Sequence, residues 1–167
     1  MRRILVISVV LALAIPAVAA AQALIPGDGS LAVRSGDGVV RLNDFRGVVL
    51  GRISTGTLVI VDPKGDDCDS LLVWDADDQW PRVRRFGEDR VLECWYTTTS
   101  GMRFRLVGGP NTIRINARGI ALSAVGQGRG FVRGTPTLLD DGVYSVDGSD
   151  WRSLPDDGRA VRIGAVP

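Results

Sequence analysis

The chain has 167 residues, of which 45% are hydrophobic, with 20 Lys or Arg against 19 Asp or Glu and no His. This length is ordinary for one domain with one hydrophobic core. The near-neutral charge supplies no global field for nucleic acid, so no nucleic-acid partner is expected. Without His, the chain has no Ser-His-Asp or Cys-His catalytic site and no imidazole metal ligand.

The N-terminus predicts a secretory signal peptide. Arg2 and Arg3 precede an apolar run over 4–15, and an Ala-rich segment ends at Ala23. This is the order of a cleaved leader, and the apolar run is shorter than the ~20 residues that a spanning helix needs. We therefore predict a signal peptide over 1–23 and a single mature domain over 24–167, secreted or periplasmic, without a transmembrane segment. Removing Arg2 and Arg3 from the 20 basic residues leaves 18 against 19 acidic ones.

Cys68 and Cys94 are the two cysteines of the chain, and both lie in the predicted mature part. An oxidising compartment allows them to pair. A bridge between them would close a loop of about 27 residues and contribute roughly 3 to 4 kcal/mol through chain entropy. A thiol nucleophile is the alternative, but it needs an activating base, and the chain offers only Lys64. We predict a structural disulfide.

Short runs of alternating apolar and polar residues predict the fold class. Gly, Asp, Ser and Asn separate these runs at intervals of 8 to 12 residues, which is turn chemistry. The pattern predicts an all-β domain of short antiparallel strands with little or no helix, either a sandwich or a compact β-solenoid-like coil. The predicted strands are 31–33, 39–42, 48–50, 57–61, 102–107, 112–115, 120–122 and 130–132, with two more at 143–146 and near 161–163.

A weak internal repeat divides the strands into two groups of four. Val40-Arg-Leu-Asn43 matches Ile113-Arg-Ile-Asn116, and Arg46-Gly-Val-Val-Leu50 matches Arg118-Gly-Ile-Ala-Leu122. We therefore predict two duplicated four-strand halves. The segment 62–99 lies between them and carries both cysteines and three of the four Trp. We interpret it as an insertion, a position where surface loops on a rigid scaffold often carry function.

Acidic residues crowd this insertion. Carboxylate oxygens at such density suit calcium, which takes 6 to 8 oxygen ligands. Their spacing matches neither the EF-hand loop nor the nonapeptide calcium repeat, and Asp is also common in solvated turns. We therefore interpret these acidic residues as belonging to turns, and we predict no metal and no cofactor. The secondary candidates for calcium ligands are Asp66, Asp67, Asp69, Asp75, Asp77 and Asp78.

Aromatic and arginine side chains supply the candidate ligand-binding residues. Trp74, Trp80, Trp95 and Tyr96 suit stacking on sugar rings, with core packing as the alternative. Alternation predicts that Leu92, Cys94 and Tyr96 share one face of a strand and that Trp95 lies on the other. A second set consists of arginines that alternate with core residues. If their strands are neighbours, these arginines would form a basic stripe that could bind a polyanion. The alternative is an ordinary solvated sheet face. This set is Arg41, Arg103, Arg105 and Arg114.

The strand-and-turn runs also carry a resemblance. Gly101-Met-Arg-Phe-Arg-Leu-Val-Gly-Gly109 and the segment 113–126, with 56–62 upstream and 144–146 downstream, are similar to small secreted β-rich proteins of actinobacteria that have no assigned function. The resemblance implies an all-β fold and no catalytic residues.

The sequence predicts a non-catalytic extracytoplasmic β domain that binds an envelope polymer or a protein partner. One alternative is a carbohydrate-active hydrolase with paired Asp carboxylates, which need only the right separation. The other is a purely structural component of the envelope. A flat row of exposed Trp or Arg would favour binding, and a deep cleft with two carboxylates would favour the hydrolase.

Overall fold

The computed structural model describes residues 27–62, 71–77, 82–86, 91–136 and 141–165. The predicted signal peptide lies outside the described residues, as do Cys68, Trp80 and the calcium candidates Asp66, Asp67, Asp69 and Asp78. Within the described part, no helix has the length and apolar character needed to span a bilayer.

The described residues form nine strands joined by antiparallel ladders. The all-β prediction is therefore confirmed. The strands are β1 (Gly29–Ile53), β2 (Thr55–Asp62), β3 (Leu71–Trp74), β4 (Arg82–Phe86), β5 (Val91–Thr98), β6 (Met102–Gly134), β7 (Val143–Val146), β8 (Arg152–Ser153) and β9 (Arg159–Ile163).

Two strands are much longer than predicted, because β1 has 25 residues and β6 has 33. The predicted strands 31–33, 39–42 and 48–50 are parts of one continuous β1. The turn residues between them bend the strand without ending its pairing: Ser35 and Asp44 adopt positive φ angles of 51°. Asp tolerates this left-handed conformation better than most residues. The prediction of uniformly short strands was therefore wrong at β1 and β6.

The bends divide the long strands into segments that alternate between two layers. Arg41 pairs with both Arg114 and Phe131, and Leu50 pairs with both Arg105 and Ser123, so each central segment of β1 lies between two segments of β6. We name these segments β1a (29–34), β1b (38–43), β1c (46–53), β6a (102–108), β6b (111–118), β6c (120–126) and β6d (127–134).

The pairing gives the strand order of each layer. The first layer runs β8–β7–β1a–β6c–β1c–β6a–β3, and the second runs β9–β6d–β1b–β6b–β2–β5–β4. The inner faces share one buried apolar cluster. Leu31 of the first layer lies 3.5 Å from the place that a Cβ on Gly130 of the second layer would occupy. The single hydrogen-bonded sheet is thus folded into a sandwich, one of the two predicted architectures.

The internal repeat predicted two groups of four strands, and these groups occupy equivalent positions in the two layers. Each group alternates between the layers in the order first, second, first, second. This holds for β1a, β1b, β1c and β2, and for β6a, β6b, β6c and β6d. Counterparts lie side by side at the centre, where β1b pairs with β6b and β1c pairs with β6c. The predicted insertion extends both layers, since β3 pairs with β6a and β5 pairs with β2.

Gly47 and Gly126 lie opposite each other where β1c and β6c meet. Their φ angles are 148° and 150°. A Cβ on Gly47 would lie 2.1 Å from the carbonyl oxygen of Val125, and one on Gly126 would lie 2.0 Å from that of Arg46. Both the backbone conformation and the close approach therefore require glycine here.

Replacing Gly126 with Ala should destabilise the fold strongly. Backbone strain and a clash with main-chain atoms together cost about 3 kcal/mol, which would lower Tm by about 10 °C. Gly148→Ala is the matched control, because Gly148 also has a positive φ of 71° but no atom lies within 4 Å of the place that its Cβ would occupy. Thermal unfolding followed by circular dichroism measures both, and equal losses would contradict the close-approach argument.

Cys94 is buried on the inner face of β5 and is not a free thiol. The only other cysteine in the sequence is Cys68, which lies outside the described residues. The Cys68–Cys94 bridge therefore stays a prediction. Titration of the unfolded, unreduced protein with a thiol reagent should find no reactive thiol, and titration after reduction should find two. Two thiols before reduction would contradict the bridge.

Candidate functional site

The four candidate arginines lie on opposite outer faces of the sandwich. Arg41 and Arg114 are cross-strand partners on the second layer, whereas Arg103 and Arg105 belong to β6a in the first layer. All four are exposed. They do not form one stripe, because β6 crosses from the first layer to the second between Arg105 and Arg114. The alternation of apolar and polar residues predicts that a side chain points outward, but it does not predict to which layer of the sandwich the strand belongs.

Charged and aromatic groups on the outer face of the second layer are already engaged with one another. Trp95 Nε1 donates a hydrogen bond to Glu93 Oε2 at 3.0 Å, and Arg114 Nη1 lies 3.4 Å from Glu93 Oε1. Arg41 lies over the ring of Phe131, with 5.7 Å from Cζ to the ring centroid. Arg41 has no acidic partner within the described residues, but the rings of Trp95 and Phe131 are half-buried, which makes this face the poorer candidate for stacking on a ligand.

The predicted orientation of the aromatic pair on β5 agrees with the structure. Tyr96 is 6% exposed and packs in the core with Leu92 and Cys94, while Trp95 points outward and is half-buried. Tyr96 is therefore not placed to stack on a ligand, and this candidate is corrected to a core residue. Its ring fills the core between the layers.

The outer face of the first layer combines exposed apolar and arginine side chains in rows. One row runs from Trp74 to Arg103, Arg52 and Ala121 across four adjacent strands. A second row runs along Leu72, Arg105, Leu50, Ser123 and Ala32. We call this surface the tryptophan–arginine face and define it by Ala32, Arg34, Leu50, Arg52, Leu72, Trp74, Arg103, Arg105, Ala121, Ser123 and Trp151.

Two tryptophans border a groove on this face. Trp74 on β3 is 45% exposed, and Trp151, which follows β7, is 40% exposed. Arg34 of β1a stacks on Trp151, with Cζ 4.1 Å from the ring centroid. The groove is open and has a volume of about 600 Å³. The small side chains of Ala32, Ala121 and Ser123 line it together with Leu50, Arg52 and Arg103. Because four strand spacings separate β1a from β3, the groove is roughly 19 Å long.

The tryptophan–arginine face carries an excess of positive charge. It contains four arginines, and the neighbouring acid is Asp75, which pairs with Arg103. Arg103 Nη2 and Nε lie 2.8 and 3.0 Å from Asp75 Oδ2. Within the described ranges, Arg52 and Arg105 have no acidic partner. Four positive charges against one leave a net charge of +3 on the face of a nearly neutral chain.

A second depression of about 920 Å³ adjoins the groove and shares Arg52, Arg103 and Ala121 with it. Asp37 and Asp75 both line this depression. Asp37 Oδ1 accepts a hydrogen bond from the Gly119 N–H at 2.7 Å, and Asp75 is held by Arg103. Both carboxylates are thus engaged by donors of the chain itself.

The two calcium candidates within the described residues serve other roles. Asp75 is paired with Arg103, and Asp77 caps the turn between β5 and β6. Asp77 Oδ2 accepts hydrogen bonds from the N–H and hydroxyl of Thr99, each at 2.7 Å, and Oδ1 accepts one from the Ser100 hydroxyl at 3.0 Å. No three His, Cys, Asp or Glu side chains within the described part of the chain lie together as a metal site.

Comparisons of the chain with protein-family models, with curated proteins and with solved structures found no match. The resemblance to small secreted β-rich actinobacterial proteins therefore stays a hypothesis. Function is inferred from the side chains of the tryptophan–arginine face themselves. Of these, Trp74, Arg103 and Arg105 were sequence candidates.

Three charged or aromatic residues of the face were not among the sequence candidates, namely Arg34, Arg52 and Trp151. The two arginines are direct neighbours of buried Val33 and Ile53, so strand alternation could have identified both as outward-pointing. Trp151 lies outside any strand, and no periodic signal marks it.

Hydrogen bonds from the Thr99 hydroxyl and, to a smaller extent, from the Thr99 N–H hold the pKa of Asp77 below its ordinary value of 3.8. Because the pKa of Asp77 is lower in the folded protein than in the unfolded chain, ionised Asp77 stabilises the fold above pH 3.8. This stabilisation is lost as the pH falls through the pKa of Asp77 in the folded protein. Asp77→Asn should therefore lower Tm by a few degrees at neutral pH. The difference from the unmodified protein should shrink below about pH 4. A constant difference in thermal melts from pH 7 to pH 2.5 would contradict this role.

Proposed function

We propose that the chain is a non-catalytic extracytoplasmic β domain that binds an envelope polymer along the tryptophan–arginine face. The observation that carries this proposal is the pair of exposed rings, Trp74 and Trp151, at the two ends of an open groove lined in part by small side chains. Exposed rings offer flat apolar faces on which sugar rings stack, and the neighbouring guanidinium groups donate hydrogen bonds.

The shape of the groove favours an extended ligand over a globular partner. Trp and Arg also dominate the energetic centres of protein interfaces, so a protein partner is the second possibility within the same proposal. The small side chains of Ala32, Ala121 and Ser123, however, let a thin chain lie close to the strands. A thin chain that lies along the groove contacts both rings and the arginines at once.

The extracytoplasmic setting in the proposal depends on the predicted signal peptide over 1–23 and on the predicted Cys68–Cys94 bridge. Secretion places the domain where polysaccharides and other envelope polymers occur. A disulfide is stable in the same compartment, so the two predictions agree with each other.

The hydrolase and the structural component remain alternatives that the same material can test. Asp37 and Asp75 share one depression, which is the arrangement that a hydrolase would need, yet each carboxylate is already bound by a donor of the chain. A structural component would need no ligand. Release of reducing ends from a bound polysaccharide would favour the hydrolase over the binding domain.

The test is a binding screen of the secreted protein against purified neutral and acidic polysaccharides, read by tryptophan fluorescence and confirmed by calorimetry. Trp74→Ala and Trp151→Ala should each weaken binding by about tenfold, because a stacked ring contributes up to about 1.5 kcal/mol. Phe131→Ala removes an aromatic ring from the opposite face and should leave binding unchanged. Binding that survives both Trp substitutions, or no binding to any polysaccharide, would contradict the proposal.

A further inference from the structure

We infer that the bound polymer is an anionic polysaccharide and that Arg52 and Arg103 form the subsite for its carboxylate or phosphate groups, with Asp75 competing for Arg103. This inference rests on the proposed function, because it names the ligand class of the same groove. It assigns the groove's charge to a particular pair of guanidinium groups.

The two arginines lie on adjacent strands. Arg52 on β1c and Arg103 on β6a are direct cross-strand partners and point to the same side of the sheet. Like charges directly opposite each other destabilise a sheet. Asp75 compensates Arg103, but no acidic side chain among the described residues compensates Arg52. The pair therefore retains a cost to folding that an anionic ligand would remove.

An exposed aromatic ring and a third arginine lie beside the pair. Trp74 is the cross-strand partner of Arg103 on the other side, so an exposed ring stands beside the two guanidinium groups. A sugar that stacks on Trp74 would direct an acidic substituent toward Arg103 and Arg52. Arg105 lies two residues further along β6a on the same face, roughly 6.6 Å away, and is placed for the next acidic group.

Asp75 has the properties of a displaceable competitor. Its φ of 65° is a left-handed conformation, which Asp and Asn adopt more readily than other residues. The side chains of Arg103 and Asp75 are 67% and 61% exposed. An ion pair this exposed contributes little to stability, whereas guanidinium groups bind carboxylate and phosphate with paired, charge-assisted hydrogen bonds. A ligand anion held by both arginines therefore replaces Asp75.

Charge and shape distinguish the possible occupants of this face. A second copy of the chain would bring two surfaces of net charge +3 together, which is repulsive. A lipid bilayer would also attract the arginines, and binding to anionic vesicles is therefore one of the outcomes of the test below. An extended polyanion satisfies the charge and the shape together.

The experiment compares polygalacturonate with its fully methyl-esterified form, which has the same sugar backbone without the charge. The acidic polymer should bind at least tenfold more tightly to the secreted protein, and its affinity should fall as salt is raised, since salt screens exposed charges. A phosphate-bearing mannan, compared with the dephosphorylated mannan, distinguishes a phosphate ligand from a carboxylate ligand. Preference for either acidic form supports the inference.

Two substitutions test the assigned residues. Arg52→Gln should weaken binding of the acidic polymer by about tenfold, as expected for loss of a charge-assisted contact. Asp75→Asn keeps the left-handed conformation accessible, frees Arg103 and should tighten binding severalfold. A purely structural role of Asp75 would not raise the affinity. The matched control is Arg133→Gln, which removes an exposed arginine from the second layer, and Tm measurements show that each variant is folded.

The outcomes separate this inference from the proposed function. Equal or tighter binding of the neutral ester and dephosphorylated forms would overturn the inference while leaving a polysaccharide-binding domain. Tighter binding to phosphatidylglycerol vesicles than to every polymer would overturn it in favour of a membrane surface. Weaker binding by Asp75→Asn would remove Asp75 from its assigned role. Failure of every polysaccharide to bind would contradict the proposed function itself.

Discussion

The close approach of β1c and β6c at Gly47 and Gly126 is the constraint on which the rest of the fold depends. Two strands of 25 and 33 residues cannot lie flat beside each other in a small domain, so they bend and pair repeatedly. The main chains come too near for a Cβ at this crossing. The ladder of β1c with β6c begins at this approach and, with the ladder of β1b with β6b, forms the centre to which the outer strands are added.

The layered arrangement brings the tryptophan–arginine face together from distant parts of the sequence. Arg52 comes from β1c, Arg103 from β6a, Trp74 from β3 and Trp151 from the segment after β7. The rigid central ladders hold the arginines, while the rings stand toward the margins of the layer. Rigid elements therefore place the charges, and more peripheral elements place the apolar contacts. The opposite face uses similar residue types, but there Glu93 binds both Arg114 and the half-buried Trp95.

Sequence patterns predicted local orientation well and long-range placement poorly. Alternation correctly separated Trp95 from Tyr96, because successive side chains of a strand point to opposite faces. The two groups of four strands from the repeat do alternate between the layers in the same order, but its match of Leu50 with Leu122 pairs an exposed position with a buried one. Neither pattern distinguishes a turn at which a strand ends from a bend at which the same strand continues into the other layer. For this reason Arg103 and Arg105 were grouped with Arg41 and Arg114, and Trp151, far away in sequence, was missed.

The equivalence of the two halves has a consequence for how many ligands one chain can hold. Arg52 belongs to the first half and Arg103 to the second. The strand β6c, which is the counterpart of β1c, contains no charged residue, and Ser30 of β1a aligns with Arg103. The internal symmetry of the backbone is therefore broken by the side chains. The proposed anionic subsite takes one arginine from each half and lies at the seam where the halves join, so a chain with either half alone would hold no ligand there.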